Sequence, residues 1–339
     1  MVDGPVRADF MVVSGSVSTK FSQRSLCSKC TERKMPPKRK SKTESPSSSK
    51  NAKLLTLASE KSAENEVTES GDAVTTDNVP PSNKNEVPPS NSSIAERFLS
   101  ELVAPFNEEV VGLTFEKPIE YVYNPLEYAR EPHEDYIRKY CNSTKDILFL
   151  GMNPGPFGMA QNGVPFGEHD SAVNFLGIIG NVGKPPKEHP KRQIVGLSCT
   201  RKEVSGSRFW GLWKTLCKTP EEFFRHAFVY NHCSLVFMSE TGKNITPPDM
   251  RVGMRKQIVE LGDDFVCKMV KLLEVKVVVG IGKFAEQRAK KALEAAGIDG
   301  VRVVVIMHPS PINPAANKGW DQAVTKQLKD LNLLKYFKK

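Results

Sequence analysis

The sequence predicts a three-layer α/β/α domain on a central, mostly parallel four-stranded sheet, preceded by a disordered N-terminal tail. Three observations carry that expectation. Four short apolar runs, at 147–150, 227–230, 275–279 and 301–307, are continuous and do not alternate with polar residues. Such runs mark strands covered on both faces. Helical patterns lie between them, so the strands connect by crossovers and run parallel. Residues 1–92, by contrast, are rich in Ser, Thr, Asn, Lys and Glu and repeat Val-Pro-Pro-Ser-Asn at 79–83 and 87–91. That composition buries too little apolar surface to offset its ordering entropy.

The tail carries one further signal. Arg33 and Lys34, then Pro37, Lys38, Arg39, Lys40 and Lys42, form a basic cluster of the nuclear-import or nucleic-acid kind, and a nuclear location is expected from it. Met35, which stands just before the Pro37 to Lys42 part of the cluster, is an alternative start. Arg7, Lys20 and Arg24 suit a mitochondrial leader, but Asp3 and Asp9 argue against one. Order begins at Ser93, where Ser93 and Glu96 form a capping box ahead of the stripe Ile94, Phe98, Leu102. A helix of about ten residues is expected there, and a single α/β/α domain is expected to span 93–339. Further helices are predicted near 208–217, 251–273, 283–296 and 320–335.

The chain of 339 residues holds 48 Lys+Arg against 39 Asp+Glu; past residue 93 the counts are 34 and 28, so the folded part is itself basic. An anionic partner, nucleic acid before membrane, follows from that balance. No apolar run approaches the ~18 residues that span a bilayer, and no secretory leader is visible, so a soluble, unsecreted chain is expected. Seven cysteines, odd in number and scattered, read as reduced thiols. Cys27 and Cys30 make half of a zinc site without its second half. No metal and no cofactor are expected.

In an open parallel sheet, ligands bind beyond the carboxyl ends of the strands. After 147–150 comes 151–168, with five glycines and three prolines among eighteen residues. Glycine lets backbone approach a ligand and proline stiffens the path, so this is a rigid loop presenting N–H groups. After 227–230 come Asn231, His232 and Cys233; one asparagine amide can meet both a carbonyl and an N–H on a pyrimidine edge, although it is also a common turn former. After 301–307 come His308, Pro309, Ser310, Pro311, Ile312, Asn313 and Pro314, then Asn317 and Lys318. The histidine can stabilise charge on a leaving group. The prolines should hold an extended, stiff segment with Ile312 at its tip as a wedge between stacked bases, or they simply terminate a helix. Ser310 and Lys318 are possible phosphate contacts. Gly280-Ile281-Gly282-Lys283-Phe284-Ala285, with Asp299 downstream, fits a dinucleotide fingerprint, but on the third of four strands and with its acid before a strand.

Segments 151–168, 231–233 and 308–320 together resemble the three site segments of the single-strand-selective monofunctional uracil-DNA glycosylases, within the uracil-DNA glycosylase superfamily. The resemblance spans about 95–337 and includes Tyr123-Asn124-Pro125-Leu126, 203–210 and 280–288. It implies a monofunctional DNA glycosylase that flips and excises uracil, and 5-substituted uracils such as 5-hydroxymethyluracil, from single- and double-stranded DNA in base-excision repair. Asn153 then matches the asparagine that positions water, Phe166 the ring stacked on uracil, and Asn231 the reader of O4 and N3–H. His308 matches the histidine facing O2, and Gly155 the small position beside C5, with Met152 lining the pocket. Ser310, Pro311, Ile312, Asn313 and Lys318 fall on the DNA-contacting segment, where Ile312 replaces the family's usual basic wedge residue. Downstream abasic-site enzymes are implied partners, and a monomer without membrane contact is expected. Two other classes fit parts of the pattern: a non-catalytic nucleic-acid-binding member of the fold, and a nicotinamide-dependent oxidoreductase using Gly280 to Ala285.

Overall fold

The computed structural model describes residues 92–338. The tail, with its basic cluster, Cys27, Cys30 and Met35, lies outside the described residues. The chain enters at the expected cap, where the Glu96 amide donates to the Ser93 hydroxyl at 3.3 Å. Helix α1 (Ile94–Arg97) continues through a π-helical stretch (Phe98–Val103) into α2 (Ala104–Val111). The helix thus outruns the ten residues expected, and its π-helical stretch lies immediately before Pro105, which can donate no helical hydrogen bond to the turn behind it.

The elements that follow are β1 (Tyr121–Tyr123), α3 (Pro125–Tyr128), α4 (Arg130–Tyr140), β2 (Ile147–Gly151) and α5 (Met159–Asn162). Then come α6 (Val204–Cys217), α7 (Pro220–Phe224), β3 (Ala227–Asn231), β4 (Val236–Met238) and β5 (Asn244–Ile245). The chain ends through α8 (Val252–Leu272), β6 (Val277–Ile281), α9 (Lys283–Ala295), β7 (Arg302–Ile306) and α10 (Trp320–Asp330).

The central sheet has the order β3-β2-β6-β7 and all its strands are parallel. Phe149 lies opposite Val229 on one side and Val279 on the other. Alternate side chains then face two different helical layers. Phe228 and Tyr230 meet Phe98 edge-on at 5.8 and 5.4 Å, and Tyr230 stacks on Phe265 of α8 at 5.2 Å. From the opposite face, Phe149 meets Phe209 and Trp213 of α6 and Phe223 of α7 at 6.0, 5.1 and 5.8 Å. Both faces being covered by aromatic layers is why these strands do not alternate in sequence.

Three expectations need correction. Helix α6 begins four residues before 208, and the predicted last helix stops at Asp330. Asn332 follows it at φ 59°, a conformation asparagine tolerates, and Leu334–Tyr336 is a separate 3-10 turn. A second, antiparallel sheet of order β1-β4-β5 was not anticipated; strands of two or three residues are too short to show a period.

Candidate active site

The site lies where parallel-sheet ligands are expected, beyond the carboxyl ends of β2, β3 and β7. A cavity of about 450 Å³ opens there, and Met152, Asn153, Gly155, Phe166, Asn231, His308, Ser310, Ile312 and Asn313 all line it. Three sequence segments far apart in the chain therefore meet at one place. Pro311 and Lys318 do not line the cavity; both are exposed on the segment beyond its rim.

Its floor is set by strand register. Gly151 pairs with Asn231, and a Cβ on Gly151 would lie 2.1 Å from the Asn231 side-chain oxygen and 3.1 Å from the Phe166 ring. Only glycine fits. The buried Asn231 amide donates to Met159 Sδ at 3.2 Å. Beyond the strand, the His232 and Cys233 amides donate to the carbonyls of Gly151 and Met152, each at 2.9 Å. His232 also meets Asp263 of α8 at 2.8 Å, and Arg288 of α9 pairs with the same carboxylate. This network anchors the Asn231 backbone from behind.

Phe166 presents a ring to the cavity and rests its other side on Phe209, stacked at 4.7 Å. It holds φ at 54°, a strained conformation for an aromatic residue. The surrounding loop supports that strain. The Glu168 amide donates to the Phe166 carbonyl at 2.8 Å, while Asn162 donates to the Gly167 carbonyl at 2.7 Å and accepts from Val164 at 3.1 Å. Segment 151–168 is thus not one open loop, since α5 sits inside it.

Asn153 is half-buried, and its amide nitrogen donates to the Pro154 carbonyl at 3.3 Å. Its side-chain oxygen remains for a ligand. His308 receives the Ser310 amide on Nδ1 at 3.0 Å, so the neutral ring carries its proton on Nε2. Burial lowers its pKa from the ordinary 6.5, which favours that neutral form. Gly282 permits this seat: it takes φ 92°, and a Cβ there would press His308 Cβ at 3.2 Å. A Cβ on Gly280 would lie 2.4 Å from the Glu286 amide. The two glycines of the dinucleotide-like turn thus serve the close approach of α9 to β6 and the placement of His308.

The segment after His308 is not extended, as the prolines suggested. The Asn313 amide donates to the Ser310 carbonyl and the Ala316 amide to the Asn313 carbonyl, so it folds into successive tight turns. Arg208 of α6 grips it at both ends, donating to the Pro309 carbonyl and the Asn317 side chain at 2.8 Å each. Ile312 stands out at 90% exposure.

Glu203, Ser205, Asn244 and Thr246 also line the cavity and were missed as site residues. Glu203 lay within a noted block, but no residue pattern announces where its carboxyl goes. It packs against the loop glycines, 3.1 Å from a Cβ on Gly155 and 2.6 Å from one on Gly158. Burial raises its pKa to about 7, against the lowering effect of the Ser205 hydroxyl and the Ser205 and Gly206 amides. Asn244, in β5, and Thr246, directly after it, arrive with the small sheet, which the sequence hid. Among the described residues no three of His, Cys, Asp and Glu come together as a metal site, and no helix is long and apolar enough to cross a membrane.

Comparison with known proteins agrees with this architecture. The sequence model of the Uracil DNA glycosylase superfamily matches residues 138–332. A single-strand selective monofunctional uracil-DNA glycosylase of Rattus norvegicus is 51% identical over 243 residues, covering 71% of this chain and 86% of the relative. The protein of that name from Mus musculus is 48% identical over 256 residues, with 75% and 91% covered. That of Bos taurus is 50% identical over 242 residues, with 71% and 88% covered. The crystal structure of wild-type Pedobacter heparinus SMUG2 shares the fold at 19% identity and TM-score 0.52, covering 72% of this chain and 98% of that one. The chain belongs to the single-strand selective monofunctional uracil-DNA glycosylases, within the uracil DNA glycosylase superfamily.

Proposed function

We propose that the chain excises uracil from DNA by hydrolysing the C1′–N1 bond, leaving an abasic site for base-excision repair. One observation carries this reading. Asn153, Asn231, His308 and the Phe166 ring converge on a single cavity from separate segments. That set supplies a water-orienting amide, an edge-reading amide, a hydrogen-bond donor and a stacking face.

A base inside a duplex is out of reach, so the nucleotide is flipped or met in a single strand, and stacking on Phe166 offsets part of the lost base stacking. Asn231 reads the pyrimidine edge through its acceptor and two donors. Bond cleavage leaves electrons on the uracil ring, and the Nε2–H of neutral His308 stabilises that anion at O2. An amide cannot deprotonate water, so Asn153 orients the attacking molecule through its side-chain oxygen. Positioning and leaving-group stabilisation then supply most of the acceleration. The C1′–O bond to water replaces the broken C1′–N1 bond, and the proton that the water sheds balances the departing uracil anion.

Finer features belong to the same proposal. Gly155 leaves room beside C5 for oxidised substituents such as hydroxymethyl. Ile312, with Ser310, Pro311, Asn313 and Lys318, engages the DNA, and duplex substrates are accepted through Ile312 as an apolar wedge. The protein acts as a monomer in the nucleus and hands its product to abasic-site enzymes. The test is release of free uracil from a single-stranded deoxyuridine oligonucleotide in EDTA, beside Asn153→Ala. Release by the wild type that fails in the variant is expected. A well-folded wild type that releases nothing from single-stranded or duplex DNA would leave only a binding module.

A further inference from the structure

Beside the cavity lies a second concavity, about 470 Å³, bordered by Phe157, Gln161, Lys191, Arg192 and Arg201. It is continuous with the site along the chain: Phe157 follows Gly155 by two residues, and Arg201 and Lys202 immediately precede Glu203. Its charge is one-sided, with no acidic residue in its lining. Lys184 and Lys187, a few residues earlier, pair with Glu188 and Glu120. Lys191, Arg192, Arg201 and Lys202 make no ion pair among the described residues. Four cations close along the chain and without carboxylate partners raise the local positive potential and draw an anion to it.

The concavity is also rigid. The Phe157 ring sits beneath the Arg201 guanidinium at 3.8 Å and the Arg192 guanidinium at 5.1 Å. Arg192 is fixed by donation to the Gly242 carbonyl at 3.0 Å. Gln161 ties the two walls together, donating to the Pro156 and Gln193 carbonyls at 3.1 and 3.2 Å and accepting from the Val195 amide at 2.8 Å. Arg201, Lys202 and Lys191 remain exposed. A flat guanidinium already stacked on an aromatic ring offers its outer face to a base and its edge to a phosphate.

We propose that this shelf docks the single-stranded DNA flanking the nucleotide held in the cavity, with phosphates on Lys191, Arg201 and Lys202 over the Phe157 platform. The inference rests on the glycosylase reading and adds where an unpaired strand is held. A basic, aromatic-floored groove suits single strands because it needs no duplex geometry and no particular base.

The experiment titrates a fluorescent single-stranded oligonucleotide lacking uracil with the full chain from 0.05 to 0.3 M salt. The triple variant Lys191→Gln, Arg201→Gln, Lys202→Gln is compared with wild type; Arg192 is spared because its side chain holds the loop. Each lost phosphate contact removes about 0.7 from the slope of log affinity on log salt. A slope smaller by about 2, and affinity weaker by about tenfold near 0.15 M, are expected. On a deoxyuridine strand, the loss falls on KM, with kcat within about twofold. Arg201→Lys, which keeps the charge, should retain the slope. An unchanged slope and affinity in a folded triple variant overturns the shelf, even where the wild type releases uracil. Should the triple variant unfold, the single variants Lys191→Gln and Lys202→Gln, each expected to lower the slope, decide in its place.

Discussion

The floor of the cavity and its rim are built by opposite rules. On the floor, Gly151, Asn231, Phe166 and His308 are held by strand register, ring stacking and close contacts that leave no space for another atom. At the rim, Ile312 is 90% exposed, and Lys318, Arg201 and Lys202 stand free of ion pairs among the described residues. Floor chemistry depends on sub-ångström placement and rim chemistry on reach and charge. The difference teaches that floor substitutions should destroy turnover outright, while rim substitutions should shift substrate form and salt response.

The largest effect is expected from Gly151→Ala. Its methyl group would meet the Asn231 oxygen at 2.1 Å, so the amide must leave its place. Uracil release should fall more than about a thousandfold, with the melting temperature lowered as well. Retained activity in that variant would show the floor to be pliable. Next come His308→Ala and Asn153→Ala, each expected to lower kcat by about 10²–10³ while single-strand binding persists. A substituted histidine that costs less than tenfold would move the anion stabilisation elsewhere.

Ile312→Ala sharpens the rim side of the comparison. Excision from duplex DNA should drop about tenfold while excision from single strands stays within about twofold, since only the duplex needs a wedge. Equal losses on both substrates would assign Ile312 to the cavity, not to strand separation.

The smallest effect concerns Glu203, which joins floor to rim. Its folded pKa of about 7 lies above the ordinary carboxyl value, so the folded state holds a proton that the unfolded chain has released. Stability therefore falls as pH rises towards 7 and levels off above it. Between pH 6 and 8 the wild type should lose about 1 kcal/mol relative to Glu203→Gln, read by urea melts at both pH values. His133, buried and pushed down to about 4, acts in the opposite direction by favouring higher pH, but it does so in both proteins and cancels. Parallel melts would show that the Glu203 carboxyl stays ionised.

Much of this was legible in the chain. The four sheet strands appear within a residue or two of their predicted places; in β2, β3 and β6 burial on both faces writes itself as an unbroken apolar run, while β7, at the sheet edge, keeps the run although it is only half-buried. The Ser93 cap is a local hydrogen bond between residues three apart, and such bonds are visible in a sequence. The positions of Asn231 at the last residue of its strand and of Asn153 and His308 two residues past theirs follow from a general property of parallel sheets.

Other features required the fold. The turns of 308–320 depend on Arg208, about a hundred residues earlier, so the prolines alone misled. Glu203 became a cavity carboxyl only when the Gly155–Gly158 loop closed over it. The positive φ of Phe166 is held by Asn162, Glu168 and Phe209, and nothing in its neighbours announces it. By itself the sequence determined what short-range patterning encodes: strands, helices, caps and the residue types at strand ends. Tertiary structure alone decided that Glu203, Ser205, Asn244 and Thr246 join the cavity and what burial does to the charge of its side chains, because both depend on contacts the chain makes only after it has folded.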